Sequence, residues 1–301
     1  MSPKAFLRII LLCFILILFV FIHDKVKRPL QSSKTSAGVE AVPSRNAPRS
    51  VSEYEPEEHS LISLTERSEP QFVPTANGTE SFVEIVDSCD AFYSGACVRG
   101  YMHIDGELVP VKQFREGIVL RASTSTLTFN DTEWYEVLFD EWLRYPERRT
   151  SELYVKASEV NHFTATGSME LQAHGTSTKR IIVDRSEQQL YAYDGETLFM
   201  SATTSTGLDL TPTPRGTFVV YRKSPTRYMQ GPIPGVSAKE YDLPGVPWNL
   251  YFTEDGAVIH GAYWHNSFGK KWSNGCVNLP PPIARTLYDW ADLGTTVIVR
   301  D

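Results

Sequence analysis

The chain is poor in cysteine, with four in 301 residues, and it has no basic surplus: 29 Lys and Arg stand against 36 Asp and Glu, a net charge of −7. A face that binds nucleic acid needs concentrated positive charge, so the balance argues against nucleic acid as a partner. It also offers no electrostatic attraction to anionic polymers. Recognition has to come from pocket shape and hydrogen bonding. Beyond the first 22 residues there is no long apolar run, and none of the histidines and cysteines falls into a spacing typical of a zinc site. No metal or cofactor is therefore expected.

The four cysteines are Cys13, Cys89, Cys97 and Cys276. Cys13 lies in the apolar N-terminus. Cys89 and Cys97 are eight apart around Ser94-Gly95, a turn-forming pair, so in an oxidising compartment they are disulfide candidates; the alternative is two reduced, buried thiols. Cys276 is left as the odd thiol, which directs attention to its surroundings.

Cys276 stands in Ser273-Asn274-Gly275-Cys276-Val277-Asn278-Leu279, and Ile259-His260-Gly261-Ala262-Tyr263-Trp264-His265 precedes it. A thiol attacks an acyl carbon as thiolate, so it needs a base within reach and N–H donors for the oxyanion. This stretch can supply both. Gly275 permits a sharp turn, and Gly275 and Cys276 N–H are candidate oxyanion donors. His260, sixteen residues before Cys276, ends the apolar run Ala257-Val258-Ile259, which reads as a buried strand. The rival readings are an inert buried cysteine and histidine, or an open zinc site of His260, His265 and Cys276.

The pair His-Gly and Ser-x-Gly-Cys-Val-Asn resembles the signature of the YkuD-type L,D-transpeptidases, which cross-link bacterial peptidoglycan through a cysteine thioester. The resemblance covers roughly residues 180–300. It implies a mainly β catalytic domain, a β-sandwich or barrel with one short C-terminal helix. It also implies Cys276 as nucleophile, His260 as base with its other ring nitrogen on the Gly261 carbonyl, and peptidoglycan stem peptides as substrate. Ser273, Asn274, Asn278, Tyr228, Met229, Tyr263, Trp264 and His265 are the substrate-side candidates. One departure stands out: the family usually has histidine where this chain has Asn274, and asparagine carries no proton charge. His260 must then be the base. Within the enzyme reading an L,D-carboxypeptidase shares the same thioester; outside it stands a wall-binding scaffold of weak activity.

Along the chain, residues 1–30 read as an uncleaved membrane anchor, with Lys4 and Arg8 before the apolar run Ile9–Ile22 and Asp24-Lys25-Val26-Lys27-Arg28 after it; by length alone a cleavable signal peptide is the rival reading. The catalytic resemblance places the rest outside the cytoplasm. Residues 31–80, rich in Ser, Thr, Pro, Glu and Arg, read as a disordered linker with a mean reach of roughly 40 Å. Residues 81–163 show short alternating runs separated by Asp105-Gly106 and Asn130-Asp131, a small β-barrel similar in pattern to bacterial SH3-like modules. Within it, Glu141 to Arg149 reads as a surface loop. Residues 164–178 read as a second linker and 179–301 as the catalytic domain. In that domain the proline- and glycine-rich stretch Ser224 to Pro247 reads as a long substrate-covering loop, with Tyr228, Met229, Tyr241 and Trp248 as groove candidates. Pro280-Pro281-Pro282 then opens an amphipathic helix.

Overall fold

The computed structural model describes residues 78–139, 141–150, 152–170 and 177–301. The expected anchor, and the expected linker as far as residue 77, lie outside the described residues. Residues 65–301 form one compact unit. Among the described residues no helix is long and apolar enough to cross a membrane. The architecture is mainly β, with one α-helix among the described residues, α1 (Pro281–Trp290).

Two five-stranded sheets build the C-terminal part. The first runs in the order β12 (Thr197–Thr203), β11 (Gln189–Asp194), β10 (Lys179–Asp184), β18 (Thr296–Arg300) and β13 (Gly216–Val219). The second runs β17 (Val277–Leu279), β16 (Val258–Gly261), β15 (Ser237–Tyr251), β14 (Arg222–Ile233) and β9 (Met169–Glu170). Alternation decides the inward faces: Ile181 and Val183, Leu190 and Ala192, and Val297 and Val299 are buried at every second position. They meet Leu250, Ile259, Val277 and Leu279 of the second sheet, and Ala284 and Leu287 of α1, in one core. Pro281 and Pro282 suit the first helical turn, where no backbone N–H has an intrahelical partner.

The N-terminal part holds a three-stranded sheet, β4 (Val119–Arg121), β1 (Thr79–Ile85) and β8 (Val160–Thr166), and a five-stranded one. The latter runs β3 (Glu107–Phe114), β2 (Val98–Ile104), β7 (Leu153–Lys156), β6 (Thr132–Val137) and β5 (Leu127–Phe129). Cys89 and Cys97 are joined in a disulfide. Strands β1 and β4 are buried on both faces at Phe82-Val83 and Val119-Leu120, which explains the unbroken apolar character of these pairs, whereas β8 is largely exposed. Phe82 and Val119 enter the core just described, while Val83, Ile85 and Leu120 enter a second core with Phe114, Val137 and Leu153. Leu243 and Val246 of β15 belong to that second core as well. A Cβ on Gly245 would sit 2.6 Å from Ile118 and 2.7 Å from the Val119 carbonyl, so the two parts touch through backbone. Glu84 of β1 also pairs with Arg285 of α1 at 2.5 Å.

Three stretches differ from their sequence reading. Thr79 and Glu80, assigned to the first linker, already pair in β1, and the second linker is partly strand, since β8 runs to Thr166 and β9 pairs with β14. Ser224 to Pro247 is not a loop but most of a long β14–β15 ribbon, with register shifts at Arg227/Met229 and Gly231/Ile233 that absorb its prolines. The ribbon is held from the N-terminal part by the segment that reads as a free surface loop. Tyr145 N–H donates to Gln230 Oε1 at 2.8 Å, its hydroxyl donates to the Pro232 carbonyl at 2.8 Å, and Arg148 Nη1 donates to the Gly231 carbonyl at 2.6 Å.

Candidate active site

The all-apolar run before His260 makes β16 a fully buried strand, and β17 lies beside it in parallel, pairing Ile259 with Val277, His260 with Asn278 and Gly261 with Leu279. Continuing that register one step back sets Cys276 opposite Val258. Side chains two apart share a face, so Cys276 and His260 are diagonal neighbours on one face of the sheet, a spacing that side chains span. Asn278 lies on the same face, directly across from His260.

His260 is 1% exposed. Its Nδ1 lies 3.0 Å from the Gly261 carbonyl, which can only accept, so Nδ1 carries the proton and Nε2 is left with a lone pair. Nε2 is buried without a hydrogen-bond partner among the described residues. Burial lowers the ring's pKa to about 4, the Gly261 bond opposing and the Arg227 charge adding to the shift. The ring is therefore neutral at physiological pH, with the Nε2 lone pair able to accept a proton. Cys276 is half-buried, with Sγ 3.9 Å from the Gly256 carbonyl. Burial pushes its thiol up, against the Val258 N–H and the Arg227 charge, which favour thiolate. Resting Cys276 is thus a neutral thiol.

The loop that carries the thiol is cross-braced. Gly275 adopts φ +115°, a conformation that strains any residue with a Cβ. Ser273 Oγ donates to the Cys276 carbonyl at 2.5 Å and accepts from Gly275 N–H at 3.1 Å. That second bond commits Gly275 N–H inside the loop, away from the oxyanion role read for it from sequence. Asn274 sits half-buried between them. Replacing Ser273 with alanine is expected to slow acylation of Cys276 about tenfold and to lower stability by about 1–2 kcal/mol, because two hydrogen bonds that aim the loop are lost at a buried site. Comparing the acylation rate and the thermal midpoint of the same preparation checks it.

Beneath the loop lies polar bracing that sequence reasoning missed. Thr204, Ser205, Thr206 and Thr213 are all buried. Ser205 exchanges backbone bonds of 2.8 and 3.0 Å with Asn278, and Gln188 donates to Thr206 Oγ1 at 2.7 Å while accepting from Thr206 N–H at 2.9 Å. In sequence, Thr203 to Gly207 looks like any polar strand end. The Thr-Pro-Thr-Pro-Arg-Gly element at 211–216 reads alone as a turn, although its likeness to a Thr-Pro-x-Gly element of the L,D-transpeptidases adds to the resemblance.

His265, 2% exposed, accepts from Ser267 N–H through Nδ1 at 3.1 Å, so its neutral ring carries the proton on Nε2. The Asn278 carboxamide lies 2.9 Å from that nitrogen; with the amide turned so that its oxygen faces the ring, it accepts a hydrogen bond from Nε2–H. His265 thus positions Asn278, and burial holds its pKa at about 4. Trp264 has its ring 5.7 Å from His260 and 5.1 Å from Tyr263. Tyr263 is taken up in packing, its hydroxyl donating to the Pro244 carbonyl at 2.6 Å. Tyr228 donates its hydroxyl to Asp242 at 2.8 Å, and Met229 packs on the second core, so both brace the ribbon. Tyr241 comes closer to the chemistry: burial and the neighbouring Cys276 push its hydroxyl up to about 12. Trp248 is buried against Phe163 and Tyr288. Among the described residues no cluster of three or more His, Cys, Asp or Glu is arranged to hold a metal ion, so the zinc reading finds no ligand set.

Both histidines carry depressed pKa values, which fixes the sign of the acid response. Between pH 6.5 and about 4 the unfolded chain binds protons at His260 and His265 that the folded chain does not, so stability present above pH 6.5 is lost as pH falls through that window. The loss reaches up to about 3 kcal/mol per ring. Urea midpoints at pH 7 and 4.5 measure it. For the same reason thiol acylation should hold its rate down to about pH 5 and fall as His260 protonates near 4.

The match to known proteins decides the family. Residues 178–299 match the YkuD family, described as an L,D-transpeptidase catalytic domain. These residues are a YkuD-type L,D-transpeptidase domain. No curated protein matches the chain. Among solved structures, an L,D-transpeptidase from Mycobacterium smegmatis is 22% identical over 56% of this chain and 92% of its own, with a TM-score of 0.39. L,D-transpeptidase 3 from Mycobacterium tuberculosis is 17% identical over 56% and 92%, with a TM-score of 0.38. A mutant Enterococcus faecium L,D-transpeptidase is 26% identical over 41% of this chain and 50% of its own, with a TM-score of 0.38, so this chain spans half its length. The matched span contains β10 to β18 and therefore every element that positions Cys276 and His260 in the transpeptidase domain.

Proposed function

We propose that the chain cross-links peptidoglycan stem peptides through a thioester on Cys276. The observation that carries this reading is the buried, neutral His260, whose unpartnered Nε2 shares a sheet face with the Cys276 thiol. His260 takes the thiol proton through Nε2, and Sγ attacks the carbonyl of the third residue of a tetrapeptide stem. The proton then passes to the departing terminal D-amino acid, C–N breaks and the thioester remains. A side-chain amine of a neighbouring stem attacks the thioester, forming C–N and breaking C–S, with its proton returning through His260 to sulfur. Cys276 N–H is the loop donor for the oxyanion. Asn278, fixed by His265, and the Trp264 ring flank the donor peptide. Water in place of the amine would release a trimmed tripeptide from the same thioester.

The setting is read the same way. The apolar run Ile9–Ile22 supports a membrane anchor, and the Cys89–Cys97 disulfide supports an oxidising compartment outside the cytoplasm, where the stem peptides are.

Incubating the full chain with a tetrapeptide-stem muropeptide and separating the products tests the reading. Cross-linked dimer is the expected result; tripeptide alone would make the enzyme a carboxypeptidase, and neither product from folded protein would sink the proposal. A carbapenem, whose strained amide presents an acyl carbon to the same thiol, is expected to add its mass to the parent and not to Cys276→Ala.

A further inference from the structure

A cavity of about 120 Å³ lies where the N-terminal part meets the β14–β15 ribbon. Arg144 and Trp142 wall it from the N-terminal side, Arg227 and Tyr251 from the ribbon, and Glu254 and Gly256 from the turn before β16. Gly256 ties the cavity to the chemistry, because its carbonyl is the group 3.9 Å from Cys276 Sγ. Arg227 ties it again, since its charge acts on both Cys276 and His260. Two of the other charges in the wall are already engaged: Glu80 faces Arg121 at 3.4 Å, and Glu141 accepts from Tyr228 N–H at 2.7 Å. Arg144, by contrast, lies over the Trp142 ring at 5.4 Å and makes no ion pair among the described residues. A guanidinium held against an aromatic face, with its N–H fork facing a cavity, is suited to a carboxylate.

We propose that this cavity is the amine-side subsite of the transpeptidase, in which Arg144 of the N-terminal part binds the carboxylate that flanks the reacting amine. The proposal rests on the thioester reading above and adds to it a residue from outside the transpeptidase domain. The leaving amine and the attacking amine occupy the same place relative to the acyl carbon and His260, by microscopic reversibility, so one pocket serves both. The departing D-amino acid is an amine beside a carboxylate, and an acceptor whose amine has a neighbouring carboxylate would present the same pair to the pocket. The cavity has room for several waters, and so for an amino-acid head. Glu254, at the turn, supplies the opposite charge for the ammonium form before it loses its proton. During transfer the neutral amine forms C–N, C–S breaks, and the amine proton goes to His260 and then to sulfur.

The test uses the full chain and a ratio, which is unaffected by how much of a preparation is folded. Donor stems ending in a free D-amino acid or its amide are compared for thioester formation by intact mass. Amine acceptors with a free carboxylate or the corresponding carboxamide are compared for transfer. The acid form is expected to be favoured about tenfold in the parent, to lose that preference in Arg144→Gln and to regain only part of it in Arg144→Lys, which restores the charge without the fork. Loss in the donor arm assigns Arg144 to the leaving group, loss in the acceptor arm to the acceptor, and loss in both to the shared pocket; each supports the proposal. An unchanged preference in Arg144→Gln, or no preference in the parent, overturns it. Absence of any thioester in the parent would instead overturn the thioester reading itself.

Discussion

Replacing His260 with asparagine is expected to lower the rate of Cys276 acylation about a thousandfold, within the range for loss of a positioned base, while the protein stays folded. Asparagine keeps an N–H that can reach the Gly261 carbonyl, 3.0 Å from Nδ1 in the parent, but has nothing to replace the Nε2 lone pair. Because burial also raises the Cys276 thiol above its ordinary value, there is little thiolate at neutral pH to rescue the variant. Activity of the variant should climb with pH as the thiol ionises unaided. Stopped reactions analysed by intact mass from pH 6 to 10 show this. A rate within tenfold of the parent at pH 7 would mean that another group takes the proton.

The second large effect falls far from the thiol. Phe82→Ala should destabilise the whole unit of residues 65–301 by about 3–5 kcal/mol, the usual cost of removing a buried phenylalanine. Phe82 is 1% exposed and sits in the core built by Ile181, Leu250 and Leu287, although it belongs to β1. Its ring stacks on Phe163 at 5.5 Å, and Phe163 in turn meets Trp248 at 5.7 Å. The three-stranded sheet thus serves two cores at once, and neither part can open without exposing the other's apolar face. One cooperative transition, lowered by roughly 10 °C, is the expected melting behaviour. Two separate transitions, with only the earlier one shifted, would show that the N-terminal part folds on its own.

These two effects also mark what could and could not be read from sequence. The site was legible because its parts are local: an apolar strand ending in His260, a glycine before Cys276, and a spacing that two parallel neighbours require. The helix after Pro280 and the paired strands β10 and β11 were legible through periodicity and turn residues. The ribbon was not, because Pro225, Pro232, Pro234, Pro244 and Pro247 read as loop punctuation, and the register shifts that accommodate prolines leave no mark on composition. Segment 141–149 was read as a free loop for a related reason. Its partners Gln230, Gly231 and Pro232 are distant in sequence, and hydrogen bonds to backbone carbonyls depend on placement, not on residue type. The bracing by Gln188, Thr206 and Thr213 is equally invisible, since buried threonines look like strand residues until the strand is placed.

The proposed chemistry turns on a thioester between Cys276 and the third residue of a stem peptide. Intact mass spectrometry of the full chain, taken early after mixing with a tetrapeptide-stem muropeptide and followed by peptide mapping, detects it. An adduct equal to the donor minus its terminal amino acid is expected on the peptide containing Cys276, absent from Cys276→Ala and greatly delayed in His260→Asn. Turnover without any adduct on Cys276, or an adduct that persists in Cys276→Ala, would contradict it.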